Sequence, residues 1–154
     1  MLHDENARER ESLPPPLTRV VAFFETISPE QLSQIDTLYA PDCRFKDPFN
    51  EVQGTRAIHG IFAAMFRQVR SPRFFVRQWL MDETQAFLTW DFEFQLGRGR
   101  GGQLLRIHGA SRLVFDEQGR IVLHRDYWDA AEELYEKLPL LGVLMRWLKK
   151  RAAH

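Results

Sequence analysis

The sequence has one cysteine, no net charge and no long apolar segment, and each absence excludes a class of protein. Because Cys43 stands alone, no disulfide can form within the chain, and a reducing compartment is expected. The 21 lysine and arginine residues balance the 21 aspartate and glutamate residues, which leaves no net field to recruit nucleic acid or an anionic membrane. The most apolar segment, LPLLGVLMRWL, is interrupted by Arg146 and is too short to span a bilayer. We therefore expect a cytoplasmic protein with no nucleic-acid partner. The amphipathic segment LPLLGVLMRWLKKRAAH, basic at its end, is expected to cover the cavity, and docking on a membrane surface is the less favoured alternative.

The sequence also lacks the patterns that hold metals and nucleotide cofactors. It contains no HExxH segment and no cysteine pair, and His59, His108 and His124 are not spaced as a set of ligands. The segment GRGRGG, residues 97–102, has the spacing G-x-G-x-x-G, but a dinucleotide-binding loop must open a helix, and here a strand is expected to follow. We expect no metal and no cofactor.

Aromatic residues, by contrast, are abundant. The 154 residues include twelve phenylalanines and four tryptophans, and this length suits one domain with a sizeable core. Such rings fill cores, and they also form the walls of apolar pockets. The charged start of the chain, MLHDENARERES, predicts a flexible tail over residues 1–16, followed by a single domain over residues 17–154.

The periodicity of apolar residues divides this domain into helices followed by strands. It predicts one helix from Leu17, a second from Ser28 that ends at Pro41, and a third after Gly54. CRFKDPF predicts a short strand, and RFFVRQWLM, AFLTWDFEFQL, QLLRIHGASRLVF and RIVLHRDYWD alternate with a period of two and predict four long strands. A last helix is expected over residues 130–151. This order is typical of an α+β domain, with a cone-shaped, curved, mostly antiparallel sheet packed on N-terminal helices and covered by a C-terminal helix.

The segment LHRDYWD contains the most informative polar residues. In a strand, His124, Asp126 and Trp128 lie on one face, which faces a wet groove, the solvent or a ligand cavity. A carboxylate beside an imidazole in an aromatic cavity can transfer protons or bind a ligand. The alternative is a buried hydrogen-bonded pair that only fixes the strand.

Several segments resemble the nuclear transport factor 2-like superfamily, namely LYAPDCRFKDPF, TRAIHGIFAAMF, RLVFDEQGRI and HRDYWD. Within it, the sequence is similar to the ketosteroid isomerase, polyketide cyclase and limonene epoxide hydrolase branches, over about residues 17 to 135. The resemblance implies a cone-shaped α+β barrel with an apolar cavity that forms a homodimer through the outer face of the sheet. On that face we expect His108. The fold hosts enzymes, binding modules and scaffolds alike.

The resemblance to the isomerase places Asp47 at the position of the proton-shuttling base. The oxyanion hole of the isomerase needs a tyrosine and a protonated aspartate, and those positions hold Phe23 and Ser111 here. Phenylalanine cannot donate a hydrogen bond, and serine donates only as a neutral hydroxyl. Efficient steroid isomerisation by that mechanism is therefore not expected. The alternative for Asp47 is a strand-end aspartate that binds the following backbone.

The resemblance to the cyclase and hydrolase branches instead indicates Asp126, which matches an acid/base aspartate on the last strand. The Arg-x-Asp pair of the epoxide hydrolase is missing, because the neighbouring strands offer Asp91 and Arg106 in other contexts. We expect Asp126, Asp47 and His124 to be the catalytic residues.

The expected ligand is an apolar small molecule in the cone cavity. We expect it to contact Trp90, Trp128, Ser111, Phe23 and Phe92, although large aromatic residues in strands also serve simply as core. Three functions stay open: a cofactor-independent isomerase, cyclase or hydrolase, a non-catalytic carrier or sensor of an apolar ligand, and a scaffold for protein assembly.

Overall fold

The computed structural model describes residues 13–96 and 102–135, and it has helices packed on one six-stranded sheet. The helices are α1 (Pro15–Glu25), a 3-10 helix (Glu30–Gln34), α2 (Ile35–Leu38), α3 (Thr55–Gln68) and α4 (Ala130–Glu133). The strands are β1 (Tyr39–Lys46), β2 (Glu51–Gln53), β3 (Arg70–Asp82), β4 (Gln85–Leu96), β5 (Gln103–Phe115) and β6 (Ile121–Tyr127). The predicted α+β class is confirmed. Most of the predicted tail and most of the predicted last helix lie outside the described residues.

The sheet is mostly antiparallel and has the strand order β2-β1-β6-β5-β4-β3. Strands β1 and β6 form its parallel pair, and the other neighbouring strands are antiparallel. The register shifts within β1, within β3 and where β5 meets the start of β6. Such bulges bend a strand and increase its twist, so the sheet curves around the helices. The concave face of the sheet thereby surrounds the apolar side of α1 and α3.

Helix α1 begins within a run of prolines, which cost little in a first turn because their missing N–H groups would have no helical partner. Its apolar side is fully covered and includes Leu17, Val20 and Phe24. The helix packs against β3, and Phe24 meets Phe74 of that strand edge to face at 5.7 Å between ring centroids. Within the described part of the chain, no helix has both the length and the apolarity needed to cross a membrane.

The predicted second helix is shorter than expected. The prediction that it continues through Tyr39 to Pro41 is wrong, because Tyr39 begins β1 and pairs with Ile121 of β6. Pro41 lies where the register shifts between Tyr39 and Arg44, and a missing N–H is tolerated in such an irregular stretch. Burial of Tyr39 between the sheet and the helices overrides the helical spacing of the apolar residues before it.

The outward face of the sheet carries both charged and apolar side chains. Asp91 accepts hydrogen bonds from Arg77, at 2.7 Å, and contacts the ring of His108, whose side chain is 64% exposed. Burial raises the pKa of Asp91, but the hydrogen bonds from Arg77 and His108 outweigh it and hold the pKa below its ordinary value. Leu80 and Phe87 are exposed at the other end of this face. The homodimer through this face stays a prediction.

Candidate functional site

The pairing of β4, β5 and β6 brings together polar side chains from distant parts of the chain. Ser111 of β5 lies directly opposite Asp126 of β6, and Leu113 lies opposite His124. Because successive side chains of a strand point to opposite faces, Ser111, His124 and Asp126 share the concave face. Trp90 of β4 lies on that face as well, opposite Gly109.

These side chains form one continuous chain of hydrogen bonds. The hydroxyl of Tyr39 lies 2.7 Å from Nδ1 of His124, and Nε2 of His124 lies 2.8 Å from Oδ1 of Asp126. The hydroxyl of Ser111 donates to the same Oδ1 at 2.5 Å. Nε1 of Trp90 donates to Ser111 at 2.8 Å. We call these five residues the polar chain.

The direction of each hydrogen bond in the polar chain follows from the residues at the two ends of that chain, Tyr39 and Trp90. Burial, followed by the charge of Asp126, raises the pKa of Tyr39 well above its ordinary value, so its hydroxyl keeps its proton. No second partner of that hydroxyl is found among the described residues, and it therefore donates to Nδ1 of His124. The histidine is then neutral, with its proton on Nε2, which donates to Asp126. Oδ1 of Asp126 therefore accepts from both His124 and Ser111.

Aromatic rings enclose the imidazole of His124, which is 4% exposed. The ring of Tyr39 lies beside it in a nearly parallel plane, with centroids 6.0 Å apart, and Phe24 and Phe45 meet it edge to face with centroids 5.7 and 4.9 Å away. These contacts and the two hydrogen bonds leave the imidazole one orientation. His124 therefore positions Asp126 and has no ring nitrogen left for a ligand.

Gly109 allows Trp90 to reach Ser111. A Cβ atom at position 109 would lie 2.5 Å from Cζ2 and 2.8 Å from Cζ3 of the indole, and closer still to Cη2. The indole therefore lies flat across the backbone of Gly109, a close approach that only glycine permits. This placement aims Nε1 along the strand pair at the serine hydroxyl two residues further on.

An apolar cavity of about 40 Å³ borders the polar chain. Four aromatic rings line it: Phe24, Phe62, Phe74 and Trp90. Pockets for drug-sized ligands commonly measure about 300–1,000 Å³. This cavity therefore has room for a few water molecules or for a ligand of a few heavy atoms, and a larger ligand requires the rings to move.

Asp126 connects the cavity to the surface. Its side chain is 18% exposed, and it lines both the cavity and a surface groove of about 640 Å³ at the ends of β1 and β6. Its second oxygen, Oδ2, receives no hydrogen bond from the described residues. A residue that lines both the cavity and the groove thus has one carboxylate oxygen without a partner among the described residues.

The other predicted site residues lie in several places. Asp47 lines the groove, but its carboxylate accepts hydrogen bonds from the backbone of Phe49 and Asn50 and from the Asn50 amide, at 2.6 to 3.0 Å. This is the geometry of an aspartate that closes a turn. Trp128 also lines the groove, where its indole meets the ring of Phe49 with centroids 5.4 Å apart.

Besides Trp128, two more predicted ligand contacts lie away from the cavity lining. Phe23 is buried on the side of α1 that faces the 3-10 helix and α2, and the next residue, Phe24, lines the cavity instead. Phe92 stacks on Phe74 at 4.3 Å between centroids, so it supports a ring that lines the cavity. The predicted residues that the fold does bring together at the cavity are Trp90, Ser111, His124 and Asp126.

Sequence reasoning missed Tyr39, Phe24 and Gly109. A glycine inside a strand that otherwise alternates is a usable signal for a close approach. Tyr39 gave no such signal, because its partner His124 lies 85 residues away in the sequence. Among residues 13–96 and 102–135, no group of three or more histidine, cysteine or acidic side chains is placed to hold a metal ion.

Comparison with known proteins identifies relatives of the same fold. The model of the SnoaL-like domain family matches residues 20–124. No curated protein shows a significant sequence match to the chain. Similar solved structures include a ketosteroid isomerase-like protein from Catenulispora acidiphila in complex with trimethylamine, which is 16% identical with a TM-score of 0.67 over 80% of this chain and 92% of that one.

Two further structures are similar over most of the chain. A putative SnoaL-like polyketide cyclase from Shewanella putrefaciens is 16% identical, with a TM-score of 0.66 over 80% of this chain and 98% of that one. An LEH-like epoxide hydrolase from M. tuberculosis is 18% identical, with a TM-score of 0.65 over 87% of this chain and 96% of that one. At these identities the likeness establishes the fold, and the site must be argued from its own residues.

Proposed function

The chain belongs to the SnoaL-like domain family, and from this premise we propose that it binds a small, largely apolar molecule beside Asp126. In this proposal the carboxylate of Asp126 accepts a hydrogen bond or a proton from the ligand. Ser111 and His124, which also line the cavity, hold the carboxylate in place through Oδ1, and Tyr39 holds His124. The proposal needs no metal and no cofactor.

One observation carries the proposal: every donor of the polar chain is already used within it, whereas Oδ2 of the partly exposed Asp126 is an acceptor that no described residue occupies. Trp90 donates to Ser111, Ser111 and His124 donate to Oδ1 of Asp126, and Tyr39 donates to His124. Oδ2 of Asp126 remains, at the border of cavity and groove. A ligand that donates to Oδ2 is thus complementary to the polar atoms, and a ligand that only accepts is not.

The use of every donor within the polar chain also limits the kind of reaction that the site can catalyse. Reactions through an enolate or a tetrahedral oxyanion gain several kcal/mol from positioned donors. Among the described residues that line the cavity, no donor is left for an oxyanion, and the isomerase positions hold Phe23 and Ser111. This favours binding over catalysis of that type. A neighbour of the same fold was solved with trimethylamine, which supports a ligand of a few heavy atoms.

A second candidate function is catalysis by Asp126 as a general base. The hydrogen-bonded pair of His124 and Asp126 favours it, because an oriented, partly desolvated carboxylate is suited to abstract a proton. In this case the ligand's developing charge would need water or a residue outside the described part of the chain. A measurement of turnover distinguishes ligand binding from general-base catalysis.

The test compares the natural protein with Asp126→Asn, a change that keeps the shape and removes the charge. Native mass spectrometry of the purified protein reports any retained small molecule. Two-dimensional NMR then follows the Nε1–H signal of Trp90, assigned from a Trp90→Phe spectrum, during titration with 2-propanol, isopropylammonium or cyclohexanone. We expect at least one of these probes to shift the signal, and Asp126→Asn to weaken its binding about tenfold or more.

Asp42→Asn is the matched control, because Asp42 is exposed on β1 and lies outside the cavity lining. It should bind all probes as the natural protein does. Loss of deuterium from the α-carbons of deuterated cyclohexanone reports catalysis, and exchange that disappears in Asp126→Asn would establish the second candidate. If no probe and no retained molecule depends on Asp126, the proposal is wrong.

A further inference from the structure

We propose that the ligand of this cavity is a small aliphatic ammonium ion with at least one N–H group. The inference rests on the proposed function, since it names the ligand class of the same site. It follows from three properties of the described residues: the charge of the cavity, the nature of its walls and its size.

The cavity contains an anion and no cation. Its described lining includes no lysine or arginine, and the hydrogen bonds of His124 make that imidazole neutral. The cations of the adjoining groove have other partners. Lys46 pairs with Glu51 at 2.7 Å, and the guanidinium of Arg125 lies over the ring of Tyr127, 4.8 Å from its centroid. A carboxylate with little solvent contact is expected to be paired, and here a cationic ligand can supply the pair.

The walls of the cavity suit a cation better than a neutral apolar ligand. Phe24, Phe62, Phe74 and Trp90 all line it, and their rings are tilted or perpendicular to one another. Aromatic faces attract a nearby cation through their quadrupoles, and such rings around an alkylated ammonium group form a recurrent binding arrangement. The alkyl groups of the ion would contact the rings, and its N–H would point at Asp126.

The size of the cavity limits the ion to a few heavy atoms. About 40 Å³ cannot hold a polycyclic ligand unless several rings move together. A short branched amine places its methyl groups among the rings and still reaches Oδ2. Because the binding energy per heavy atom has a ceiling and the ion has only a few heavy atoms, its dissociation constant is expected to be on the order of millimolar.

Three probes of similar size separate charge, donor and shape on the natural protein. Isopropylammonium has both a charge and N–H donors, 2-propanol is its neutral isostere with one donor, and tetramethylammonium is a cation with no donor. Titration is followed by the Nε1–H signal of Trp90. We expect isopropylammonium to bind about tenfold or more tightly than 2-propanol, with tetramethylammonium between them.

Asp126→Asn should reduce isopropylammonium binding to the level of 2-propanol, while Asp42→Asn should change neither. Phe74→Leu keeps an apolar wall but removes a ring, and it should weaken both cations more than 2-propanol. The probe comparison on the natural protein stands even where a variant fails to fold. Equal or tighter binding of 2-propanol overturns the ammonium inference, and if that binding still depends on Asp126 it leaves the proposed function intact. Absence of any Asp126-dependent binding overturns both.

Discussion

Replacement of Gly109 by alanine tests how the fold aims the indole of Trp90. A Cβ at this position would lie 2.5 Å from Cζ2 and 2.8 Å from Cζ3 of the six-membered ring, so either the ring or the strand must shift. Overpacking of this kind costs about 1–3 kcal/mol, and a displaced indole also loses its hydrogen bond to Ser111, worth about 1 kcal/mol. We expect Gly109→Ala to lower the free energy of unfolding by about 2–4 kcal/mol.

The effect of Gly109→Ala on the free energy of unfolding should reverse its sign when the indole is absent. Leucine has none of the colliding ring atoms, so in a Trp90→Leu background Gly109→Ala should gain about 0.5–1 kcal/mol, the usual difference between glycine and alanine in a strand. Urea denaturation followed by far-UV circular dichroism gives all four free energies of the double-mutant cycle. Gly60 of α3 provides a control, because nothing lies within 4 Å of an added Cβ there, and Gly60→Ala should stabilise. An equal cost of Gly109→Ala with and without Trp90 would refute the reasoning.

Two other predictions concern the polar chain. Ser111→Ala leaves the buried Nε1–H of Trp90 without an acceptor and removes one donor to Asp126, so it should cost about 1–3 kcal/mol in urea denaturation, whereas Ser33→Ala at an exposed position should cost little. Tyr39→Phe should lower the free energy of unfolding by about 1 kcal/mol at neutral pH, and this difference from the natural protein should shrink at high pH. The folded pKa of Tyr39 lies above the unfolded one, so above about pH 10 the unfolded tyrosine loses its proton and the folded one keeps it. The free energy of unfolding of the natural protein then falls by at most about 1.4 kcal/mol per pH unit relative to that of the variant. A difference that stays constant from pH 7 to pH 11 would contradict the buried, protonated state of Tyr39.

Alternation along the strands was enough to predict which residues share a face. It placed His124 and Asp126 on one face of β6, and it assigned Ser111 to one face of β5, because the side chains of a strand repeat with a period of two. The turn residues between the strands likewise predicted their antiparallel succession. The family resemblance predicted the concave sheet around the N-terminal helices. The strand faces and the turns depend on local chemistry, which neighbouring residues determine.

Counting along the chain was less reliable where a helix meets the sheet. The resemblance gave Phe23 as a ligand contact, but its neighbour Phe24 lines the cavity. One residue turns a helix by about 100°, so a shift of one position changes which side chain faces the sheet. Similarly, Asp47 has the sequence context of a base, yet its carboxylate is occupied by the turn that it closes.

The sequence by itself determined the α+β class, the faces of the strands and the presence of a carboxylate beside an imidazole. Only the tertiary structure decided that Tyr39 donates to His124 across 85 residues of sequence, that Gly109 makes room for Trp90, and that all donors of the polar chain are used while Oδ2 of Asp126 is not. The physical reason is that hydrogen bonds between strands and helices depend on register and on rotation about each axis. Both are set by packing of the whole core, which no local pattern records.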